Sequence, residues 1–147
     1  MISVIVPTHN RVKALQNCLI SLFSQTLSPQ EIIVVNDGSD DGTKNYLLGL
    51  GVKIKVINHE KNLGQSAARN SGIKIAKGDT LVFIDDDCTA KPDWLEQIQK
   101  TFEQTPTAEV VIGKTIYVAE NYKSYFPERI VGNNNGTWPG SGNIAYK

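Results

Sequence analysis

Short aliphatic runs alternate with helix-spaced apolar stripes along most of the chain. Ile2 to Val6 is a solid apolar run closed by Pro7; Leu15, Leu19, Leu22 and Phe23 then recur at helical spacing behind Asn10, which has the chemistry of an N-cap. Glu31 to Asn36 is a second, almost wholly aliphatic run. The turn DGSDDG follows it, where Ser39 or Asp40 can cap a short helix carrying Tyr46, Leu47 and Leu50. Between Val52 and Ile57 the lysines Lys53 and Lys55 alternate with Val52, Ile54 and Val56, which predicts a strand with one solvated side, hence an edge. Gly64 to Lys77 reads as a helix packing through Ala67, Ala68, Ile73 and Ala76, with Gly78 placed to end it in the left-handed conformation. Thr80 to Ile84 is a fourth strand. Pro92 suits a first helical position, with Asp93 and Glu96 in the first turn and Leu95, Ile98 and Phe102 as the buried stripe. Val110 to Ile112 and Asn143 to Lys147 are short runs on either side of an Asn- and Gly-rich stretch, Gly132 to Gly142, read as a flexible loop.

Strands and helices in alternation predict an α/β fold: an open, mostly parallel sheet with helices on both faces, in a single domain spanning residues 1–147. With the third strand at an edge, the strand order at the core is 3-2-1-4. Ligands of such sheets bind beyond the carboxyl ends of the strands, where successive connections leave in opposite directions. Thr8, Asp37 and the triplet Asp85, Asp86 and Asp87 stand at those ends, along one crevice.

Charge changes the picture by exclusion. Fifteen basic residues cancel fifteen acidic ones, and no dense Lys/Arg cluster marks a nucleic-acid or anionic-membrane partner. Apolar stretches fall far short of the ~20 residues of a membrane span. Cys18 and Cys88 are far apart without metal-type spacing, and the chain opens directly on a strand, so the expected setting is cytoplasmic.

Three consecutive aspartates after an apolar strand repel one another unless a cation or hydrogen-bond donors compensate them. Carboxylates without His or Cys partners select a hard ion, Mg²⁺ or Mn²⁺, which completes its shell with water and substrate phosphates. A diphosphate ligand follows, to whose anionic part Arg69 and the helix opened by Gly64 can bring a cation and free backbone N–H groups, while composition alone explains Arg69 equally well as a surface ion pair. The turn DGSDDG taken alone is explained by turn formation. His9 reads as a hydrogen-bonded loop residue and Cys88 as packing. A phosphotransferase with an aspartate nucleophile would carry its D-x-D after the first strand, and a nucleotidyltransferase would carry a Gly-rich basic loop there; PTHNR is neither.

In this order, VIVPTHN, VVNDGSDDGT, NLGQSAARNSGI and FIDDDCTAKPDWL resemble the successive signatures of family 2 glycosyltransferases with the Rossmann-like GT-A fold, and WPGSGNIAYK extends the resemblance from Trp138 to Lys147. The resemblance implies a metal-dependent enzyme moving a sugar from a UDP-, GDP- or dTDP-sugar to an acceptor hydroxyl on a glycan, lipid or protein, with inversion. Thr8 and Asp37, with Pro7 and Asn10 in the same motif neighbourhood, would line the base and ribose pocket. Arg69 would hold the nucleotide, Asp86 would approach the ribose, and Asp87 with Asp85 would hold Mn²⁺ or Mg²⁺. The family's acidic Glu-Asp pair, whose Asp is the general base, has no counterpart here, since Glu120 and Glu128 do not stand in that motif. The expectation is therefore a domain incomplete at its C-terminus, impaired in turnover without a missing segment or partner, prone to self-association through uncovered surface, and working in the cytoplasm or at the cytosolic membrane face.

Overall fold

A computed structural model of the chain describes residues 1–113 and 143–147. The stretch 132–142, Glu120, Glu128 and Trp138 lie outside the described residues. β1 (Ile2–Thr8), β2 (Glu31–Asp37), β3 (Lys55–His59) and β4 (Thr80–Ile84) pair in parallel, and β5 (Val110–Ile112) and β6 (Asn143–Tyr146) extend the sheet beyond β4 as antiparallel strands. The order is β3-β2-β1-β4-β6-β5, with the expected 3-2-1-4 at its core. β1 is buried at every residue, while β3 at the edge is mostly half-exposed, as expected of a strand with one solvated side.

Helices cover both faces. On one, α1 (Val12–Phe23), α2 (Thr43–Gly49) and α4 (Trp94–Gln104) bring Leu15, Leu19, Leu22, Leu47, Leu95, Ile98 and Phe102 onto Val4, Val6, Val34, Val82 and Ala145. Each fully buried aliphatic side chain there contributes about 1.5–3 kcal/mol. On the other face α3 (Gln65–Ile75) lays Ala68 against Ile5, Ile33, Val35 and Phe83. Small residues let α3 lie close: a Cβ on Gly72 would come within 2.5 Å of Ile5 Cγ2.

Several local expectations change. Val52 is not in the third strand. Residues Gly51–Lys53 form a 3-10 turn that leaves it fully exposed, and the strand begins at Lys55. Phe23 and Ile73 continue the helical spacing of their stripes but are 44% and 40% exposed, because α1 ends at Phe23 and α3 packs through Ala68 and Gly72 instead. Asn10 does not cap α1: it has φ 53°, and the Val12 N–H is taken at 2.9 Å by Asp41, 29 residues away. α2 starts at Thr43 behind Gly42 rather than at a Ser39 or Asp40 cap, and α4 starts at Trp94, two residues past Pro92. Gly78 is not among the left-handed glycines; it is required by contact, since a Cβ there would sit 2.7 Å from Ser3 N.

The amino end of the sheet is tied by one carboxylate. Glu31 accepts hydrogen bonds from Ser3 Oγ and Lys77 N, both at 2.6 Å, and pairs with the Lys55 ammonium. It thus joins β1, β2, β3 and the α3–β4 turn. Burial opposes its charge, but Lys55, Ser3 and the Lys77 N–H outweigh it and lower its pKa from 4.5 to about 2. A carboxyl held below its unfolded value stabilises the fold fully above that value and loses the contribution as pH falls from about 4.5 to about 2. Glu31→Gln should therefore cost up to ~3 kcal/mol near neutrality, and the gap to wild type should close below about pH 2, as read by urea unfolding across pH. A gap that stays constant with pH would contradict this account.

Candidate functional site

The chain runs β1 to β2 to β3 in one direction and then returns to β4 on the other side of β1, so the switch point lies between β1 and β4. β4 pairs with β1 only as far as Ile5, so Pro7, which has no N–H to give, lies beyond the last pair. The crevice opens there. Thr8 Oγ1 bridges it, donating to Asp86 Oδ2 at 2.7 Å.

The three aspartates after β4 have different surroundings. Asp85 accepts from Arg69 Nη2 at 2.7 Å and Gln65 Nε2 at 2.8 Å, both from the first turns of α3. Asp86 is 4% exposed. Burial pushes its carboxyl above the ordinary range; the Thr8 bond and the Arg11 charge oppose the rise and neighbouring Asp87 adds to it. Asp87 is the open one, its side chain 55% exposed, and Arg11 Nη1 bridges it at 2.8 Å to Asp86 at 3.3 Å. Arg69 is largely buried, and its Nε has no hydrogen-bond partner among the described residues. A buried guanidinium N–H without a partner is an unmet donor beside the Asp85 ion pair.

Asp37 ends β2 and is a hub. Its Oδ1 receives His59 Nδ1 at 2.6 Å and Leu63 N at 2.9 Å, and its Oδ2 receives Gly64 N at 2.8 Å. Burial opposes the charge, but the His59 bond and the two backbone N–H groups prevail and hold its carboxyl below the usual range. Gly38 makes this closeness possible. It has φ +68°, and a Cβ on it would stand 2.4 Å from the Lys61 carbonyl carbon. The PTHN and DGSDDG turns are stitched together: His9 Nδ1 donates to the Asp37 carbonyl at 2.8 Å, Asn10 N to Ser39 Oγ at 3.0 Å, and Asp40 N to Asn10 Oδ1 at 2.8 Å.

Thr8, Asp85, Asp86, Asp87 and Arg69 therefore meet at the crevice, and Asp37 stands at the neighbouring strand end. Pro7 is buried in β1 in register with Val35, and Asn10 spends its side chain on the Asp40 N–H. Cys88 packs against the core, and burial, then the nearby aspartates, push its thiol up to about 11. Arg11, His59, Gln65 and Ser71 were not singled out from the sequence. His59 was within reach, since it ends a strand at the same end of the sheet as Thr8 and Asp37.

The donor set is all oxygen, and among the described residues no three His, Cys, Asp or Glu side chains form a ready-made cation cage. A guanidinium bridging Asp86 and Asp87 marks where positive charge is favoured. Such a site suits a hard divalent ion completed by water and ligand phosphates.

The sequence profile described as glycosyl transferase family 2 matches residues 3–145. The chain belongs to that family. The uncharacterised Bacillus subtilis glycosyltransferase YwdF is 43% identical over 69% of this chain and 38% of its own length. The glucosyl-dolichyl phosphate glucuronosyltransferase of Haloferax volcanii is 33% identical over 86% of this chain and 42% of its own. The chain thus spans less than half the length of these family 2 relatives. Among solved structures, S. aureus TarS 1-349 in complex with UDP-GlcNAc superposes with a TM-score of 0.68 at 31% identity, over 76% of this chain and 33% of that one. The mannosyltransferase PcManGT of Pyrobaculum calidifontis, in complex with GDP-Man and Mn²⁺, shares the fold with a TM-score of 0.66 at 24% identity, over 74% and 34% of the two chains.

In this family 2 chain the Gly38 contact generates a direct comparison. Gly38→Ala and Gly42→Ala both place a side chain at positive φ, costing about 1–2 kcal/mol. Only Gly38 also meets backbone, since nothing lies within 4 Å of a Cβ at Gly42. Urea unfolding should show Gly38→Ala to be the more destabilised variant; equal midpoints would mean that residues 61–64 give way freely.

Proposed function

We propose that the crevice binds the nucleoside diphosphate of a nucleotide sugar together with Mn²⁺ or Mg²⁺, and that the chain is the donor-binding part of an enzyme transferring the sugar to an acceptor hydroxyl. The observation that carries this reading is the convergence at the β1–β4 switch point of Asp85, Asp86 and Asp87 with Thr8, Arg11 and a largely buried Arg69 whose Nε is open. The similarity to TarS, seen with UDP-GlcNAc, supports a nucleotide-sugar ligand.

Arg69 is the anion holder, fixed by Asp85 on one side and offering Nε on the other. Asp86, tied to Thr8, lines the nucleoside side of the crevice. Asp87 and Asp85 would hold the cation, which when bound supplies Lewis-acid compensation for the charge of the departing diphosphate. Transfer with inversion also needs a base for the acceptor hydroxyl, typically worth ~10² to 10⁴ in rate. Asp37, Asp85, Asp86 and Asp87 all already accept bonds from Arg, His, Gln, Thr or backbone donors. These bonds favour donor binding as the work of these residues.

Thermal unfolding against UDP, GDP and dTDP, each with Mn²⁺ and with chelator, tests the reading. One nucleotide at ~100 times its dissociation constant should add ~2.7 kcal/mol, roughly 5–10 °C, with the metal contributing. Asp87→Ala should remove the metal dependence while leaving the fold intact, because its side chain is more than half exposed. The absence of a shift with all three nucleotides would overturn the assignment.

A further inference from the structure

His59 closes β3 with its side chain only 10% exposed, and it makes two bonds: Nδ1 to Asp37 Oδ1 at 2.6 Å and Nε2 to Ser71 Oγ on α3 at 2.9 Å. An ionised carboxylate has no hydrogen to donate, so Nδ1 carries the proton. In the neutral ring Nε2 is then an acceptor, and the Ser71 hydroxyl donates to it. The donors run one way, from Ser71 to His59 to Asp37. A carboxylate offers about four acceptor positions. On Asp37, His59 and Leu63 fill both positions of Oδ1, and Gly64 fills one of Oδ2. One position on Oδ2 is left.

We propose that His59 is a positioning residue of the donor site. Backed by Ser71, it holds the Asp37 carboxylate so that its one remaining Oδ2 position accepts an N–H or O–H of the nucleoside. This role rests on the donor-site reading above. A purely structural clip between β2, β3 and α3 would have a different signature, because it would alter stability and leave nucleotide affinity alone.

The two amide replacements of histidine separate the cases. Asn at 59 can present its amide N–H where Nδ1 stood, while Gln presents its amide where Nε2 stood and leaves Asp37 Oδ1 without that donor. With UDP, GDP and dTDP as probes in the presence of Mn²⁺, calorimetry on the full chain should show His59→Asn within about threefold of wild type. His59→Gln should bind about tenfold or more weakly, the loss expected for a hydrogen bond to a charged group. Nitrogen NMR of the nucleotide-free wild type should show the Nδ1–H tautomer, which tests the His59–Asp37 link without any ligand. Equal affinities in the two variants, equal losses, or an Nε2–H tautomer would each overturn the proposal. If His59→Gln does not fold, Ser71→Ala serves: it should keep the Nδ1–H tautomer and bind more weakly than wild type, and unchanged affinity there counts against the role. A wild type that binds none of the nucleotides, with the Nδ1–H tautomer present, removes the donor-site reading and reduces the link to a structural one.

Discussion

Four carboxylates, Asp37, Asp85, Asp86 and Asp87, stand at the carboxyl ends of the parallel strands of one mixed sheet, and two of them are at most 4% exposed. Like charges so placed raise one another's cost of ionisation unless donors are fixed against them. Everything around the site answers to that constraint. Asp37 is met by His59 and two backbone N–H groups, Asp86 by Thr8, and Asp85 by Arg69 and Gln65. Asp37 shows the balance going one way, its hydrogen bonds outweighing burial; Asp86, with fewer donors, shows it going the other.

These donors come from separate elements, so the compensation exists only when the sheet order and helix depths are right. Arg69 reaches Asp85 because Ala68 and Gly72 let α3 settle onto Ile5. His59 reaches Asp37 because β3 pairs with β2 in a register that sets the two residues opposite each other. At the other end of the sheet Glu31 links β1, β2, β3 and the α3–β4 turn through three donors, which anchors the strand starts.

Much of this architecture was legible in the sequence, because burial on two faces writes solid aliphatic strands and burial on one writes alternation. The alternation around Lys53 and Lys55 marked the third strand as an edge, although Lys53 itself lies in the 3-10 turn before β3, and from the edge position the order 3-2-1-4 followed. Periodicity failed where contact depth decides: Ile73 has the spacing of a buried residue, but close packing at Gly72 leaves it at 40% exposure. Local capping rules failed at Asn10, since the donor at the start of α1 is satisfied by Asp41 from another turn. His59 was missed because reading the third strand as ending at Ile57 stopped two residues short of the strand end where chemistry collects.

The two arginines at the crevice are not equivalent, and the difference bears on how a ligand enters. Arg69 has 16% of its side chain exposed, rises from a helix locked on the sheet and is held by Asp85, so most of its side-chain entropy is already spent on folding. Arg11 is 55% exposed on a loop and pairs with Asp87, which is equally exposed. Exposed pairs contribute about 0–1 kcal/mol, so exchanging that contact for a ligand or cation costs little. Breaking the Arg69–Asp85 pair would strand a largely buried guanidinium at a cost of several kcal/mol. Of the two contacts, Arg11–Asp87 is therefore the exchangeable one and Arg69–Asp85 the fixed one.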